Sequence, residues 1–511
     1  MLILFESQYT KVFPNFWRIP ELICQEFCFF TREKILEVLE RGHQSKTLEV
    51  SALVSALQIT VAFEKEMSER VAKATPFLVE ADGNDGAGEE EEAPPDGETP
   101  AEAAKRNLRN RIVREERGRA STAPKVVVKA EAPSLKGIIS VCFDPYLSEL
   151  YVSKEERALE KHMSESMASE DWLLDETERQ KVLNSSISLV LAIRNSMKKV
   201  SAMTRNQAYY DMSQLYRRLF KAYARFLVES MPSLKEQLPP DSSSLESRLA
   251  LIVNTADYLT SQADQLVEAI RASIATSFVE RVDMSQLQEE FNNVIARAIK
   301  QLVRVLELKI DQGLHQMTSI AWHEWDSVGD SNEYVAVLTA ALTSSLTHIA
   351  SYLSPSHYRF LCRSFLSMFV PKLVSTIFRC QNISGVGAEQ MLLDVAAIKT
   401  VVKDIPKLAP AYQASAHDKV FEKSVHKEIM RAEILLKVVT QPVQSLAASY
   451  KDFIDDGSEP NFIHIMDLKG IRKEDQVPLI NEYRRLMSDK IAVVSPKMPQ
   501  KGASPTIPKS Y

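Results

Sequence analysis

Ile383–Pro406, ISGVGAEQMLLDVAAIKTVVKDIP, is the stretch whose reading decides the fold. Gly385 and Gly387 interrupt the segment before it. A helix is expected from near Ala388 until Pro406 stops it. Met391, Leu392, Val395, Ile398, Val402 and Ile405 recur at spacings of three and four, which places them on one apolar face. Asp394, Lys399 and Lys403 fall mostly on the other side. Glu389 in the first turn and Lys403 in the last are in the favourable order for the helix dipole. Two readings stay open here: a core helix with a glycine lead-in, and a recognition surface. Gly385-x-Gly387 lacks the third glycine of a dinucleotide fingerprint, and a helix precedes it where that fingerprint needs a strand.

Working outward, the glycine count extends the helical reading to the whole chain. Of 511 residues only 14 are glycine, under half the usual share of about 7%. Five of them (Gly83, Gly86, Gly88, Gly97 and Gly118) lie in one polar stretch, and none falls between Ile138 and Gln312. Hairpin turns and nucleotide-binding strand–helix units both need glycine at positive φ or beside phosphate. The scarcity therefore points to helices joined by other loops. A net charge of −6 over this length selects no electrostatic partner. Cys24, Cys28, Cys142, Cys362 and Cys380 are odd in number and scattered, as expected of reduced core thiols. Met1–Phe5 is too short for a signal peptide. Tyr334–Tyr358 carries no Asp, Glu, Lys or Arg, but its apolar residues keep a helical period opposite a hydroxyl-rich face, so a buried helix is expected in place of a membrane span.

The expected organisation has five parts. Residues 1–74 form a helical segment, the end of an N-terminal or middle rod domain, with core from Trp17, Ile19, Leu22 and Phe27. It contains a helix over Glu33–Arg41 closed by Gly42 and another over Leu48–Val71. Residues 75–136 form a disordered linker, acidic at Glu89–Glu92 and basic from Lys105 to Arg119, with too few apolar residues to order itself. Its arginines lack interleaved aromatics, and nucleic acid is not expected as a partner. Residues 137–350 form a helical bundle and residues 351–487 a C-terminal one, followed by a disordered tail over 488–511. Asp175-x-x-Glu178 and Ser285-x-x-Gln288 resemble capping boxes. The first should open a helix with Val182, Leu183, Ile187, Val190 and Leu191 inward. Leu245–Val282 is long and amphipathic, with a break. Ser354-Pro355 pairs an N-cap with proline at the first helical position, and Pro371 should kink the helix that follows. The expected fold is all-α: antiparallel helical bundles stacked into an elongated rod.

No phosphate-binding loop or nucleophile elbow is present. Cys24-x-x-x-Cys28 lacks a second pair at zinc spacing, and nothing completes a site around His315 and His323. No catalytic residue, cofactor or metal is expected.

Several segments, taken in order, resemble one family. They are Cys142-Phe143-Asp144-Pro145-Tyr146-Leu147, Ser277-x-x-Glu280-Arg281, Trp322 with Asp326-Ser327-Val328-Gly329-Asp330-Ser331 and Tyr334-Val335, Phe369-Val370-Pro371-Lys372 and Phe378-Arg379-Cys380. Ile383-Ser384-x-Val386-Gly387-Ala388-Glu389-Gln390-x-Leu392-Leu393-Asp394 is the strongest, and Met430-Arg431-Ala432-Glu433-x-Leu435-Leu436-Lys437-Val438-Val439 completes the set. Together they resemble the vacuolar protein sorting-associated protein 53 family, a subunit of the Golgi-associated retrograde protein (GARP) complex and of the related endosome-associated recycling complex. The resemblance implies a non-enzymatic helical-rod subunit of the multisubunit tethering (CATCHR-like) class. It implies retrograde transport from endosomes to the trans-Golgi network, with peripheral association at the cytoplasmic face of those membranes. The implied partners are the other tethering subunits, SNARE proteins and vesicle or Golgi membrane factors. The family normally begins with a long coiled-coil region, and this chain is expected to start after it. If the opening helix takes part in binding, Glu389, Gln390 and Lys399 are its exposed candidates, with Arg431 and Glu433 on the neighbouring helix. Glu433 and Lys437 would alternatively form an i,i+4 surface pair. Two other readings are a helical scaffold for another assembly and an enzyme with an unrecognised site.

Overall fold

Several helix starts among the described residues are fixed by side-chain oxygens, some of them from residues distant in sequence. The computed structural model describes residues 8–9, 12–13, 19–74, 135–172, 181–234, 242–410, 416–454 and 456–494, and every regular element among them is helical. Fourteen longer helices are numbered here: α1 (Ile19–Gln44), α2 (Val50–Ala74), α3 (Val152–Ala168), α4 (Asn184–Met203), α5 (Gln207–Glu229), α6 (Ser242–Ser273), α7 (Ser285–Ser319), α8 (Glu333–Tyr352), α9 (Pro355–Arg379), α10 (Gly385–Asp404), α11 (Ala416–Thr440), α12 (Leu446–Phe453), α13 (Glu459–Leu468) and α14 (Lys473–Val494). They fall into two compact units, one within Met1–Ser153 and Val200–Tyr209, the other within Lys154–Lys199 and Tyr210–Tyr511. The boundary expected near residue 350 lies inside the second unit. The expected linker falls outside the described residues except at its end, where Leu135 is buried beside Cys24 and Val71. The expected tail overlaps α14, which runs to Val494.

In the first unit α1 continues through Gly42 to Gln44, and the chain turns at Lys46, whose φ is 55°. Its core is Cys24, Cys28 and Leu39, while Leu22 and Phe27, expected inside, stand exposed. Apolar and charged residues are both spread around α1, so no single apolar face marks its buried side in the sequence. Trp17 lies outside the described residues. Glu64 on α2 reaches into the following segment with a carboxylate that is only 3% exposed. It accepts from the backbone amides of Gly137 (2.9 Å), Ile139 (2.6 Å) and Ser140 (2.8 Å), and from Ser140 Oγ at 2.8 Å. These are otherwise unpaired donors at the start of the short helical run Ser140–Phe143, so the acid does the work of a cap from another helix.

In the second unit α4 opens at Asn184, later than the proposed capping box, whose residues lie outside the described set. Its first amides donate to Glu170, from Asn184 N at 3.1 Å and Ser185 N at 2.8 Å. Val182 therefore precedes the helix, and Leu191 points outward. At the start of α7, Asp283 accepts from the amide and hydroxyl of Ser285. Gln288 turns to Asp264 on α6 at 2.8 Å, so the box expected there does not form. The break after α6 is present at Ile274–Ala275. α9 starts as expected, with Ser354 Oγ accepting from His357 N and proline next, and it continues through Pro371 to Arg379.

α7 is the spine of this unit, packing against α6, α8 and α9. Phe291, Val294, Ala298, Leu302 and Val305 are all buried along it. α8 and α9 are long and apolar enough to cross a membrane by length and composition. In the structure Leu338, Leu342, Leu346 and Ile349 of α8 are fully buried against protein.

All five cysteines are buried, and none forms a disulfide. Burial pushes the thiols of Cys142 and Cys380 up to about 11 and that of Cys362 to about 12. The thiolate is the reactive form. Ellman's reagent at about pH 8 is therefore expected to leave these three unmodified until denaturant unfolds the chain. Fast labelling of any of them in the native protein contradicts this.

Candidate functional site

The stretch from Ile383 to Asp394 sits at a junction of four chain segments. Asn382 before it has φ 54°, in the left-handed region that asparagine tolerates better than most residues. Ile383 N donates to Leu468 O at 2.9 Å, tying the segment to the end of α13. Gly470, just beyond, has φ +71°, and a Cβ there would lie 2.5 Å from Asn382 Oδ1. Ser384 caps α10, its hydroxyl accepting from Gly387 N at 2.9 Å and donating to Trp322 O at 3.0 Å. Gly387 packs on that same carbonyl so closely that a Cβ would stand 2.1 Å from it. The Gly-x-Gly lead-in is therefore filled by protein backbone, which leaves no cradle for phosphate. Trp322 itself is fully buried, with Nε1 donating to Met317 O at 3.0 Å.

The next turn of α10 locks a second segment. Gln390 Oε1 accepts from Gly329 N and Gln390 Nε2 donates to Asp330 O, both at 2.8 Å. Asp394 accepts from Asn332 N at 3.0 Å and Asn332 Nδ2 at 2.7 Å, at the residue just before α8. Gln390 and Asp394 are both fully buried. This corrects the expected exposure of Gln390 and the placing of Asp394 on the outer face. Each points inward because the 329–332 loop offers unpaired donors and acceptors that buried side chains must satisfy. Burial also holds the Tyr334 hydroxyl far above its ordinary pKa, with the nearby Asp394 charge adding to the effect.

The other proposed binding residues separate. Glu389 is exposed. Lys399 and Glu433 pair across α10 and α11 at 2.6 Å, at 21% and 18% exposure. That pairing replaces the expected surface pair of Glu433 with Lys437. Arg431 is well exposed, 3.4 Å from Glu428. Of the five, the structure joins only Lys399 to Glu433 and withdraws Gln390. Replacing Lys399 or Glu433 by alanine is expected to cost about 1 kcal/mol, since the pair is only part-buried. Thermal unfolding of the two single variants and the double variant would read the coupling.

No group of three potential metal ligands occurs among the described residues. Ser384, Gln390 and Asp394 are each engaged with the segments around them, an arrangement that suits positioning of helices more than chemistry on a substrate.

Comparison with known proteins fits this picture. A profile described as "Vps53, N-terminal" matches residues 1–171, and one described as "Vacuolar protein sorting-associated protein 53 C-terminus" matches residues 389–471. Vacuolar protein sorting-associated protein 53 A of Arabidopsis thaliana is 29% identical over 492 residues, covering 93% of this chain and 58% of the relative. The chain belongs to the vacuolar protein sorting-associated protein 53 family. The Caenorhabditis elegans Vps53 homologue is 23% identical over 507 residues, covering 93% of the chain and 55% of the relative. The chain thus spans little more than half the length of these Vps53 relatives. Among solved structures, the C-terminal domain of the exocyst subunit Sec6p aligns with a TM-score of 0.47 at 10% identity, covering 70% of this chain and 94% of that one. The likeness is too distant to add to the argument. The C-terminal Vps53 match begins at Glu389 and ends at Ile471, so it includes the buried Gln390 and Asp394 and the tight Gly470. None of these contacts is visible in the sequence. The available signal was a Gly-x-Gly after a serine at a helix start, which reads equally well as a cap packed on a neighbour.

Proposed function

We propose that this chain is a non-enzymatic binding subunit of a vesicle tethering complex, the Golgi-associated retrograde protein complex or its recycling relative. It acts in transport from endosomes to the trans-Golgi network. Membership of the Vps53 family carries this reading. The all-helical build supports it, because packed helices offer long, firm surfaces to partners. The partners are the other subunits of the complex, SNARE proteins and factors on the vesicle or Golgi membrane. The site of action is the cytosolic face of those membranes, with peripheral attachment. Mechanism here means binding: helices locked together at the α10 junction keep separate contact surfaces at fixed spacing. Quantitative mass spectrometry of the tagged full chain purified from cells tests this. The other tethering subunits are expected at near-equal amounts, and their complete absence overturns the assignment.

A further inference from the structure

The acids and bases of α11 are sorted onto different sides. Glu422 holds Lys403 and Glu433 holds Lys399, both on α10 and both at 2.6 Å, while Glu428 stands 3.4 Å from Arg431. Lys419, Lys423, Lys427 and Arg431 recur every four residues and all stand exposed, a row of roughly 18 Å at the helical rise. The three lysines form no ion pair among the described residues. Val420 and Met430 are exposed beside them, at 61% and 43%. α9 extends the same surface. It contains no Asp or Glu, and its Arg359 and Arg363 border a recess together with Val420 and Ser424 of α11. Neither arginine has a carboxylate partner among the described residues, and Asp418 is the one acid at that recess.

We infer that this face lies against an anionic lipid membrane, with its lysines and arginines meeting headgroup phosphates and Val420 and Met430 reaching toward the acyl chains. Like charges four apart on a helix repel, so the row destabilises α11 until an anionic surface neutralises it. A helix face that only has to stay in water mixes its charges, as α11 does on the side toward α10. A line of bases on the outer side of a helix, with apolar residues among them, suits a layer of headgroups, which demands no cleft. Val420 and Met430 lie on separate turns of α11. They offer a protein segment no continuous apolar seam, whereas each can enter a lipid interface on its own. The inference rests on the tethering role proposed above for its setting in the cell, but its test does not.

The test is flotation of the purified full chain with vesicles of phosphatidylcholine, alone or mixed with phosphatidylserine. Binding is expected only with phosphatidylserine and should weaken as salt is raised. Each base at the surface is worth about fivefold in partitioning. Lys423→Gln combined with Lys427→Gln should therefore weaken binding about twenty-five-fold, and Val420→Asp about fivefold. Lys154→Gln combined with Lys161→Gln on α3 makes the same change in net charge and should leave binding unchanged. All these positions are exposed, and a native circular dichroism spectrum checks that each variant folds. Binding to neutral vesicles, no binding to anionic ones at low salt, or equal loss in the two double variants would each overturn the inference. Competition by inorganic phosphate beyond the effect of its ionic strength would also overturn it, in favour of a discrete phosphate site. In cells, a photo-crosslinker at Met430 should label lipid, and labelling of an acidic protein segment in its place would make the face a protein contact and sink the membrane reading. Flotation needs no other tethering subunit, so its failure is distinct from failure of the co-purification above.

Discussion

Gly387→Ala is expected to destabilise the second unit by about 3 kcal/mol, at the upper end for an overpacked buried site. Gly385→Ala, two residues earlier on the same helix, should be neutral or slightly stabilising. The two glycines look alike in sequence and have similar helical backbone. At Gly387 the added Cβ would sit 2.1 Å from the Trp322 carbonyl oxygen. That oxygen is backbone and also accepts from Ser384, so relief requires moving α10 or the Trp322 segment. At Gly385 the nearest atom is Thr440 O at 3.5 Å, an ordinary contact. There the alanine also reduces the freedom of the unfolded chain, worth about 0.5 kcal/mol in its favour. Thermal and urea unfolding of both variants decides the matter. Equal stability of the two would mean that the close approach to Trp322 is not a constraint.

Glu64→Ala is expected to cost about 4 kcal/mol in the first unit, because a buried charged acceptor satisfies four donors and each one left unmet is penalised. Three of those donors are backbone amides of residues 137–140. Substitution cannot remove them, so they would have to find water. The expected signature is local: faster hydrogen exchange and new proteolysis between Gly137 and Phe143, with the second unit unchanged. Glu64→Gln should fall between the wild type and alanine, because the amide keeps one acceptor and turns a donor toward the others. Normal protection of residues 137–143 in Glu64→Ala would show that other contacts hold the segment.

Where the sequence reading succeeded, the deciding term was local. Met391, Val395, Ile398 and Val402 are buried as their spacing requires, and Ser354-Pro355 starts α9 because a cap and a fixed φ act over a few residues. Where it failed, a distant group intervened. Gln390 and Asp394 read as surface residues on a helical wheel, yet the loop at 329–332 draws both inside. Ser285 read as a cap, but Asp283 and Asp264 took over the hydrogen bonds that would have formed the box. Leu22 and Phe27, expected as core, and Leu191, expected on the inward face of its helix, are all exposed. The segments that carry the family resemblance were legible as strings. That two of them, Val328-Gly329-Asp330 and Glu389-Gln390-x-Leu392-Leu393-Asp394, meet through buried hydrogen bonds was not, because pairing between distant segments has no periodicity in either one.

The most direct test of the claim that these segments build a structural lock is hydrogen exchange over residues 380–395 of the native full chain. The amides of Ile383, Ser384 and Gly387 donate to Leu468 O, Trp322 O and Ser384 Oγ. They are predicted to exchange only with the cooperative opening of the second unit, as slowly as the core of α7. Exchange of this stretch within seconds, while α7 stays protected, would contradict the lock and return the junction to the status of a mobile surface.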